Sequence, residues 1–261
     1  MSTFTVLAVG DVVGEAGCNY LLSGGRLRRA KSAFGADAVI VNGENSAKNN
    51  GMTKDTAEMI FEAGADIITG GNHTFKQYNI GIYLEDAKNV IRPANFPSDV
   101  PGYGYCITDI SGARLLTINL LGTTFMDPMD HPFKCAEHIL GRERGKYDIS
   151  VIDFHAEATS EKLCLARYLD GKVSGVFGTH THVRTADAQV LPGGTGYITD
   201  LGMTGSENGV LGVKTECVVH KFMKRTPVFF ESAKGNECAN GAVFTFDITN
   251  GKCTDVQSIS F

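Results

Sequence analysis

The sequence predicts an α/β protein built on mixed sheets, and three observations carry that expectation. From Phe4 to His182, short apolar runs alternate with segments whose apolar residues recur at helical spacing, the signature of β-α-β units. Tyr103 to Ile110 and Arg114 to Leu120 flank Ser111-Gly112-Ala113, which reads as an antiparallel hairpin inside that parallel scheme. Beyond Arg184 the chain breaks into short strands separated by glycine-rich turns. At 261 residues, 43% hydrophobic and 20% charged, it can bury roughly 70–75% of its unfolded surface and needs no disulfides to hold a core. No repeat, low-complexity tract or linker divides it, so one domain over residues 1–261 is expected.

Taken in order, Phe4 to Val9 reads as a buried strand ending in Gly10-Asp11-Val12-Val13-Gly14, which puts Asp11 at a strand exit. In open α/β sheets ligands gather at that carboxyl edge. The glycines lack the G-x-G-x-x-G spacing of a dinucleotide site. A helix from about Cys18 to Phe34 carries Leu21, Leu22 and Leu27, with Arg26, Arg28, Arg29 and Lys31 on its solvated face and an interruption at Gly24-Gly25. Ala36 to Val41 is the next strand and ends in Asn42-Gly43-Glu44-Asn45. Thr53 then caps a helix with Ala57, Ile60 and Phe61 in register and Gly64 as its stop. Asp66 to Thr69 is a third strand, ending in Gly70-Gly71-Asn72-His73. One acidic turn residue is ordinary. Three strand exits bearing Asp, Glu-Asn and Asn-His in the same topological position point to a site.

A helix from about Gln77 to Lys88, a short strand at Val90-Ile91, the hairpin, and a loop and helix over Asp127 to Arg142 follow; His131 and His138 belong to that helix's polar surface. Tyr147 to Ile152 is a strand that delivers Asp153-Phe154-His155-Ala156-Glu157. Thr159 or Ser160 caps a helix carrying Leu163, Leu165, Ala166 and Leu169, closed by Gly171. Val173 to Phe177 then leads into Gly178-Thr179-His180-Thr181-His182. On an extended backbone, residues two apart share a face, so both imidazoles can aim at one point. Such a pair serves one ion, two neighbouring ions, or an ordinary polar loop. Further short strands are expected at Gln189 to Leu191, Gly196 to Thr199, Cys217 to Met223, Val228 to Glu231, Ala242 to Ile248 and Cys253 to Ile259. Between them, residues 200–212 read as a long loop that caps a site or contacts another subunit.

A net charge of −5 argues against long nucleic acid as a partner, whereas bound cations would still let a small nucleotide approach. The seven cysteines are scattered and include no C-x-x-C, which reads as reduced thiols in a cytoplasmic protein. The first residues run straight into an apolar strand, so no secretory signal is expected, and no run reaches the ~18 apolar residues of a membrane span. Collected, Asp11, Glu44, Asn45, Asn72, His73, His155, His180 and His182 mix carboxylates, amide oxygens and imidazoles. That set exceeds the needs of one ion and suits two divalent cations about 3.5–4 Å apart. With no thiolate in it, iron, manganese or zinc in a hydrolytic site is favoured over structural zinc.

These segments also carry a resemblance. Gly10-Asp11-Val12-Val13-Gly14, Asn42-Gly43-Glu44-Asn45, Gly71-Asn72-His73-Thr74-Phe75, the run from Asp153 to Lys162, Gly178 to Val183, and Asp200 to Gly205 resemble, in that order, the motifs of the calcineurin-like metallophosphoesterases. More narrowly, the sequence is similar to the YmdB-like family of bacterial 2′,3′-cyclic-nucleotide phosphodiesterases. The resemblance implies a single-domain, four-layer α/β/β/α sandwich with mixed sheets. It further implies two divalent transition-metal ions, iron first and manganese or zinc next, and a small nucleotide, 2′,3′-cyclic, opened by in-line attack of a metal-bridging hydroxide. By the same resemblance Asp11, Glu44, Asn45 and His182 would hold one ion, and Glu44, Asn72, His155 and His180 the other, while His73 would serve as the acid. The wider superfamily has histidine where this chain has Val13, which removes one ligand that Asn45 can replace. The polar loop Ser46 to Gly51, Cys18 in place of the usual arginine and Ser206 in place of a common proline depart from the family pattern. They bear on substrate preference and on homo-oligomer contacts, the latter expected by analogy from the loop over 200–212. Two other readings stand beside this one: a phosphomonoesterase or nuclease using the same ions, and a regulatory scaffold that senses nucleotide or metal with vestigial catalysis.

Overall fold

Two sheets face each other with helices on both outer surfaces, and the alternation of side chains along the strands is the reason. The structure is a computed structural model that describes residues 2–261. The first half of the chain forms β1 (Thr3–Val9), β2 (Asp11–Val12), α1 (Gly14–Leu22), α2 (Arg26–Ala33), β3 (Ala38–Asn42), α3 (Lys54–Ala63), β4 (Ile67–Thr69), α4 (Ile80–Asp86), β5 (Val90–Ile91), β6 (Tyr105–Ile110) and β7 (Ala113–Leu121). The second half forms α5 (Pro132–Arg142), β8 (Ile149–His155), α6 (Thr159–Tyr168), β9 (Gly175–Thr179), β10 (Gln189–Val190), β11 (Gly196–Ile198), β12 (Met203–Ser206), α7 (Thr215–Lys224), β13 (Glu237–Asp247) and β14 (Lys252–Ser260). One sheet has the order β2-β12-β13-β1-β3-β4-β5 with β14 also on β13; the other runs β10-β11-β9-β8-β7-β6. Both are mixed: β1, β3, β4 and β5 are parallel, as are β7, β8, β9 and β11, whereas β13 and β6 join antiparallel.

Period-two alternation splits the strand residues between cores. Phe4, Val6, Ala8, Ala38 and Ile40 from the first sheet meet Ile149, Val151 and Phe177 from the second. Their alternates Leu7, Val9, Val39 and Val41 face Cys18, Leu21, Leu27, Ala57 and Ile60 of the helices. On the far side Leu116, Ile118, Ile152 and Phe154 pack against Ala136, Ile139, Leu165 and Ala166 of α5 and α6. Each fully buried Val, Leu, Ile or Phe among them contributes about 1.5–3 kcal/mol by leaving water. The layer order is therefore α/β/β/α.

The inward rows change character toward the carboxyl ends of the strands. Ala38 and Ile40 are followed by Asn42, Ile67 by Thr69, Ile149 and Val151 by Asp153, and Phe177 by Thr179, all of them buried. This polar floor closes the apolar core and lies directly beneath the strand exits.

Several expectations need correction. The helix from Cys18 to Phe34 starts earlier, at Gly14, and is two helices, because Gly24 and Gly25 take left-handed φ of 61° and 63°. The next predicted helix is trimmed to Ile80–Asp86, while Thr53 and Gly64 cap α3 as expected. The helix α6 begins behind Ala158, which supplies no side-chain cap. Cys217 to Met223 is helix α7 and not a strand; its apolar pairs Val218-Val219 and Phe222-Met223 recur four residues apart, and Glu216 and Lys224 suit the two ends of the helix dipole. Val228 to Glu231 forms no strand: its main-chain pairing is limited to the Lys214 N–H donating to the Glu231 carbonyl at 2.9 Å, next to the isolated bridge between Ser232 and Val213. Within the expected loop over 200–212, Met203–Ser206 is a strand held between β2 and β13 by main-chain bonds that a glycine-rich sequence does not advertise.

Among the described residues no helix is long and apolar enough to cross a membrane, and the cysteines are free. Burial pushes the Cys18 and Cys253 thiols up to about 12 each, whereas Cys164 is exposed. Iodoacetamide on the native protein should therefore alkylate Cys164 first, with Cys18 and Cys253 protected until denaturant is added; peptide mass spectrometry over time reads the order.

Candidate metal centre

Five strand exits converge on one point. Asp11 opens β2, with Gly10 alone between it and the end of β1; Glu44 and Asn45 occupy the turn after β3, and Asn72 and His73 the turn after β4. From the facing sheet come His155, the last residue of β8, and His180 and His182 just beyond β9. One ligand atom each from Asp11, Glu44 and His155 lie within 4.8 Å of one another. On one side His155 Nε2 is 3.0 Å from Asn72 Oδ1, 3.1 Å from His180 Nδ1 and 3.5 Å from Glu44 Oε1. On the other, His182 Nε2 is 3.6 Å from Asp11 Oδ1 and 3.2 Å from Asn45 Nδ2, which donates to Glu44 Oε1 at 2.6 Å. Glu44 lies between the two groups. His73 approaches from outside: its backbone N–H donates to Glu44 Oε2 at 2.8 Å, and its ring Nδ1 is 3.2 Å from Glu44 Oε1 and 3.0 Å from Asn45 Oδ1. All eight residues singled out in the sequence are thus brought together.

The histidine pair converges for a different reason from strand alternation. The strand ends at Thr179, and His180 and His182 take positive φ of 99° and 64°. A non-glycine residue in the left-handed region costs roughly 1–2 kcal/mol. Hydrogen bonds hold the strained loop: Asp11 Oδ2 accepts the His180 N–H at 3.1 Å, and Asp200 Oδ2 accepts the Thr181 N–H at 3.1 Å. Asp200 also takes the Gly202 N–H at 2.9 Å and pairs with Lys162 Nζ at 2.7 Å, both partners being buried. Lys162 and Asp200 escaped the sequence-based selection of site residues, although each ends or begins one of the six motif segments.

The floor below is fully bonded. Asp153 accepts from Thr179 Oγ1 at 2.6 Å, Thr69 Oγ1 at 2.5 Å and Asn42 Nδ2 at 3.0 Å; Thr179 Oγ1 in turn lies 2.9 Å from His155 Nδ1 and so fixes the plane of that ring. Burial raises the Asp153 carboxyl to about 6 despite these bonds, and it lowers His155 to about 3, which leaves a neutral imidazole. Desolvation likewise lowers His180 and His182. Asp11 is raised by burial and by the Glu44 charge, whereas for Glu44 burial is outweighed by the imidazoles of His155 and His73 and the His73 hydrogen bonds, and it stays ionised.

Two observations fit bound cations. Asp11, Glu44, Asp153 and Asp200 are all fully buried, with Lys162 the buried ammonium paired among them, and Asp11 Oδ1 has no hydrogen-bond partner. An unpartnered buried carboxylate oxygen is costly unless a cation meets it. In addition, a Cβ placed on Gly71 would sit 2.5 Å from both Glu44 Oε2 and His155 Nε2, so only glycine leaves that donor cluster its room.

The family model described as "YmdB-like protein" matches residues 7–259. The chain belongs to the YmdB-like family. Over 254 residues, 97% of this chain and 96% of the relative, it is 41% identical to a Bacillus subtilis (strain 168) protein named 2′,3′-cyclic-nucleotide 2′-phosphodiesterase. Crystal structures of a Thermus thermophilus protein (TM-score 0.91, 36% identity, 99% of both chains) and of a novel phosphatase from Mycoplasma pneumoniae (TM-score 0.92, 34% identity, 100% of this chain and 94% of that one) share the same architecture. A 5′-nucleotidase precursor from Thermus thermophilus superposes at TM-score 0.59 with 14% identity over 100% of this chain and 54% of its own, a likeness of fold alone. The four-layer sandwich with mixed sheets expected from the YmdB-like resemblance is what the chain adopts.

Lys162→Met should leave the buried Asp200 carboxylate without its countercharge, with only the Thr181 and Gly202 N–H groups to meet it, and cost about 3–5 kcal/mol, lowering the melting temperature by about 10 °C. Thermal denaturation checks this, and the double variant Lys162→Met, Asp200→Asn, which removes the charge and keeps an acceptor for those N–H groups, should recover part of the loss.

Proposed function

We propose that this chain is a metal-dependent phosphodiesterase that hydrolyses small nucleotides, 2′,3′-cyclic ones above all. The observation that carries the reading is the unpartnered Asp11 Oδ1 inside a buried cluster of carboxylates and neutral imidazoles. Asp11, Glu44, Asn45 and His182 would hold one divalent ion; Glu44, Asn72, His155 and His180 would hold a second, with Glu44 shared. Carboxylate, amide and imidazole donors suit iron, manganese or zinc. Asn45 directs its nitrogen toward His182 and its oxygen toward His73, and a half-turn of the amide exchanges the two atoms without moving the backbone. A pair of divalent cations so held would supply Lewis acidity toward the phosphate and acidify water.

The residues around them have separate tasks. Thr179 and Asp153 lock the His155 ring, and the Asp11 and Asp200 side chains lock the loop that carries His180 and His182. His73 is engaged at Nδ1 by Glu44 and Asn45, which leaves Nε2 for the substrate. With Nδ1 held there, a proton carried on Nε2 would pass to the departing ribose oxygen.

The name of the B. subtilis relative supports a cyclic nucleotide as substrate, and that of the M. pneumoniae structure keeps a phosphomonoester in view. A substrate panel with elemental analysis on one preparation separates them. Close to two transition-metal ions per chain and faster turnover of 2′,3′-cyclic nucleotides than of nucleoside monophosphates or RNA are expected; metal-loaded protein inert toward every phosphodiester sinks the reading. Glu44→Gln should lose both metal and activity with the fold retained by circular dichroism. His73→Ala should keep its metal and lose ~10²–10⁴ in kcat.

A further inference from the structure

The run from Asp153 to Lys162 contains a carboxylate, Glu161, that the reaction leaves unexplained. Glu161, in the first turn of α6, reaches across to the loop after β7 and takes four hydrogen bonds there. Its carboxylate accepts the Thr123 N–H at 3.0 and 3.3 Å, the Thr123 hydroxyl at 3.0 Å and the Thr124 N–H at 3.2 Å. The next residue is Phe125. Its ring is 89% exposed and its backbone is left-handed, with φ at 62°. An aromatic residue gains nothing for the fold from either condition: exposure forfeits the free energy of burial, and positive φ adds roughly 1–2 kcal/mol of strain.

Its position supplies the reason. Gly122 N–H donates to the carbonyl of His155 at 2.9 Å, so the turn begins at the metal centre, and three residues span at most about 10 Å from there to Phe125. The same turn is tied to the His73 side. Asn95 exchanges two 2.8 Å hydrogen bonds with the Leu121 backbone, and its neighbour Phe96 packs edge-on against Phe75 at 5.5 Å between ring centroids, two residues beyond His73. A chain of contacts therefore links the His73 turn, through Phe75, Phe96 and the buried Asn95, to the loop that carries Phe125. With the leaving oxygen at His73 belonging to the ribose, the base attached to that ribose would reach toward this loop.

Resting on the reading of the substrate as a nucleotide, we propose that Phe125, held out by the Glu161 clamp, is the stacking platform for the nucleobase. Every base offers a π face, and purines offer the larger one, so the platform confers a preference for nucleotides over other phosphodiesters and for purines over pyrimidines. A base–aromatic stack supplies binding that is the same in ground and transition states, and such binding appears in KM and not in kcat.

The test compares wild type, Phe125→Ala and Phe125→Trp on 2′,3′-cyclic AMP, 2′,3′-cyclic CMP and ribose 2′,3′-cyclic phosphate, which lacks a base. Phe125→Ala should raise KM for the adenine substrate about 5- to 100-fold, the equivalent of ~1–3 kcal/mol, with kcat within about twofold. The effect should be smaller for cytosine and absent without a base, and Phe125→Trp should retain wild-type KM. An unchanged KM on active enzyme, an equal loss on the baseless substrate, or a change confined to the sedimentation coefficient would each overturn the proposal. Wild-type protein inactive on all three compounds would instead overturn the functional reading on which it rests.

Discussion

Negative charge that water cannot reach is the constraint around which this molecule is arranged. Asp11, Glu44, Asp153 and Asp200 lie at the carboxyl edge of two facing sheets with no solvent exposure. Two like charges 4 Å apart repel by about 4 kcal/mol even at an effective dielectric constant of 20. The structure answers this in three ways. Lys162 neutralises Asp200. Three hydrogen-bond donors surround Asp153, whose carboxyl burial nevertheless pushes up to about 6. Asp11 and Glu44 have only imidazoles, amides and main-chain donors around them, so cations are the remaining means of balancing them.

The same constraint explains why strained backbone is tolerated at the rim. His180 and His182 leave the strand in left-handed conformations because an extended continuation would carry the chain past the cluster. What fixes them comes from the negative charge itself: Asp11 and Asp200 each accept a main-chain N–H from the loop. Asp11, in the carboxylate and imidazole cluster, and Asp200, the partner of Lys162, thus also anchor the segment that brings the imidazoles. Phe125 is strained in a comparable way, and there too a carboxylate, Glu161, is the anchor.

How much of this was legible in the sequence depends on what each element relies upon. Strands β1, β3, β4, β8 and β9 were readable because buried parallel strands need continuous apolar runs, and the site residues were readable because they stand at the exits of those runs. Thr53 and Gly64 announced the ends of α3 through local chemistry. Strand β12 was invisible because Met203-Thr204-Gly205-Ser206 is held by main-chain pairing to β2 and β13, and main-chain groups are the same in every residue. Helix α7 was misread because Val218, Val219 and Phe222 favour extended structure in isolation, while the spacing that settles the matter is spread over barely two turns. The pairing of Lys162 with Asp200 spans 38 positions and left no local trace beyond the types of the two residues.

Position 13 shows how a departure from the wider superfamily's pattern is absorbed. Where that superfamily places a histidine, Val13 packs on the 205–212 turn: its Cγ1 fills the space over Gly212, its Cβ lies over Gly205, and its N–H is bonded to the Thr204 carbonyl at 2.9 Å. Asn45 stands across from this segment, and its carbonyl accepts the Gly14 N–H at 2.8 Å, which ties it to the very stretch that gave up the ligand. The side chain of the same residue answers to both His182 and His73, so the placement of those two rings is set together.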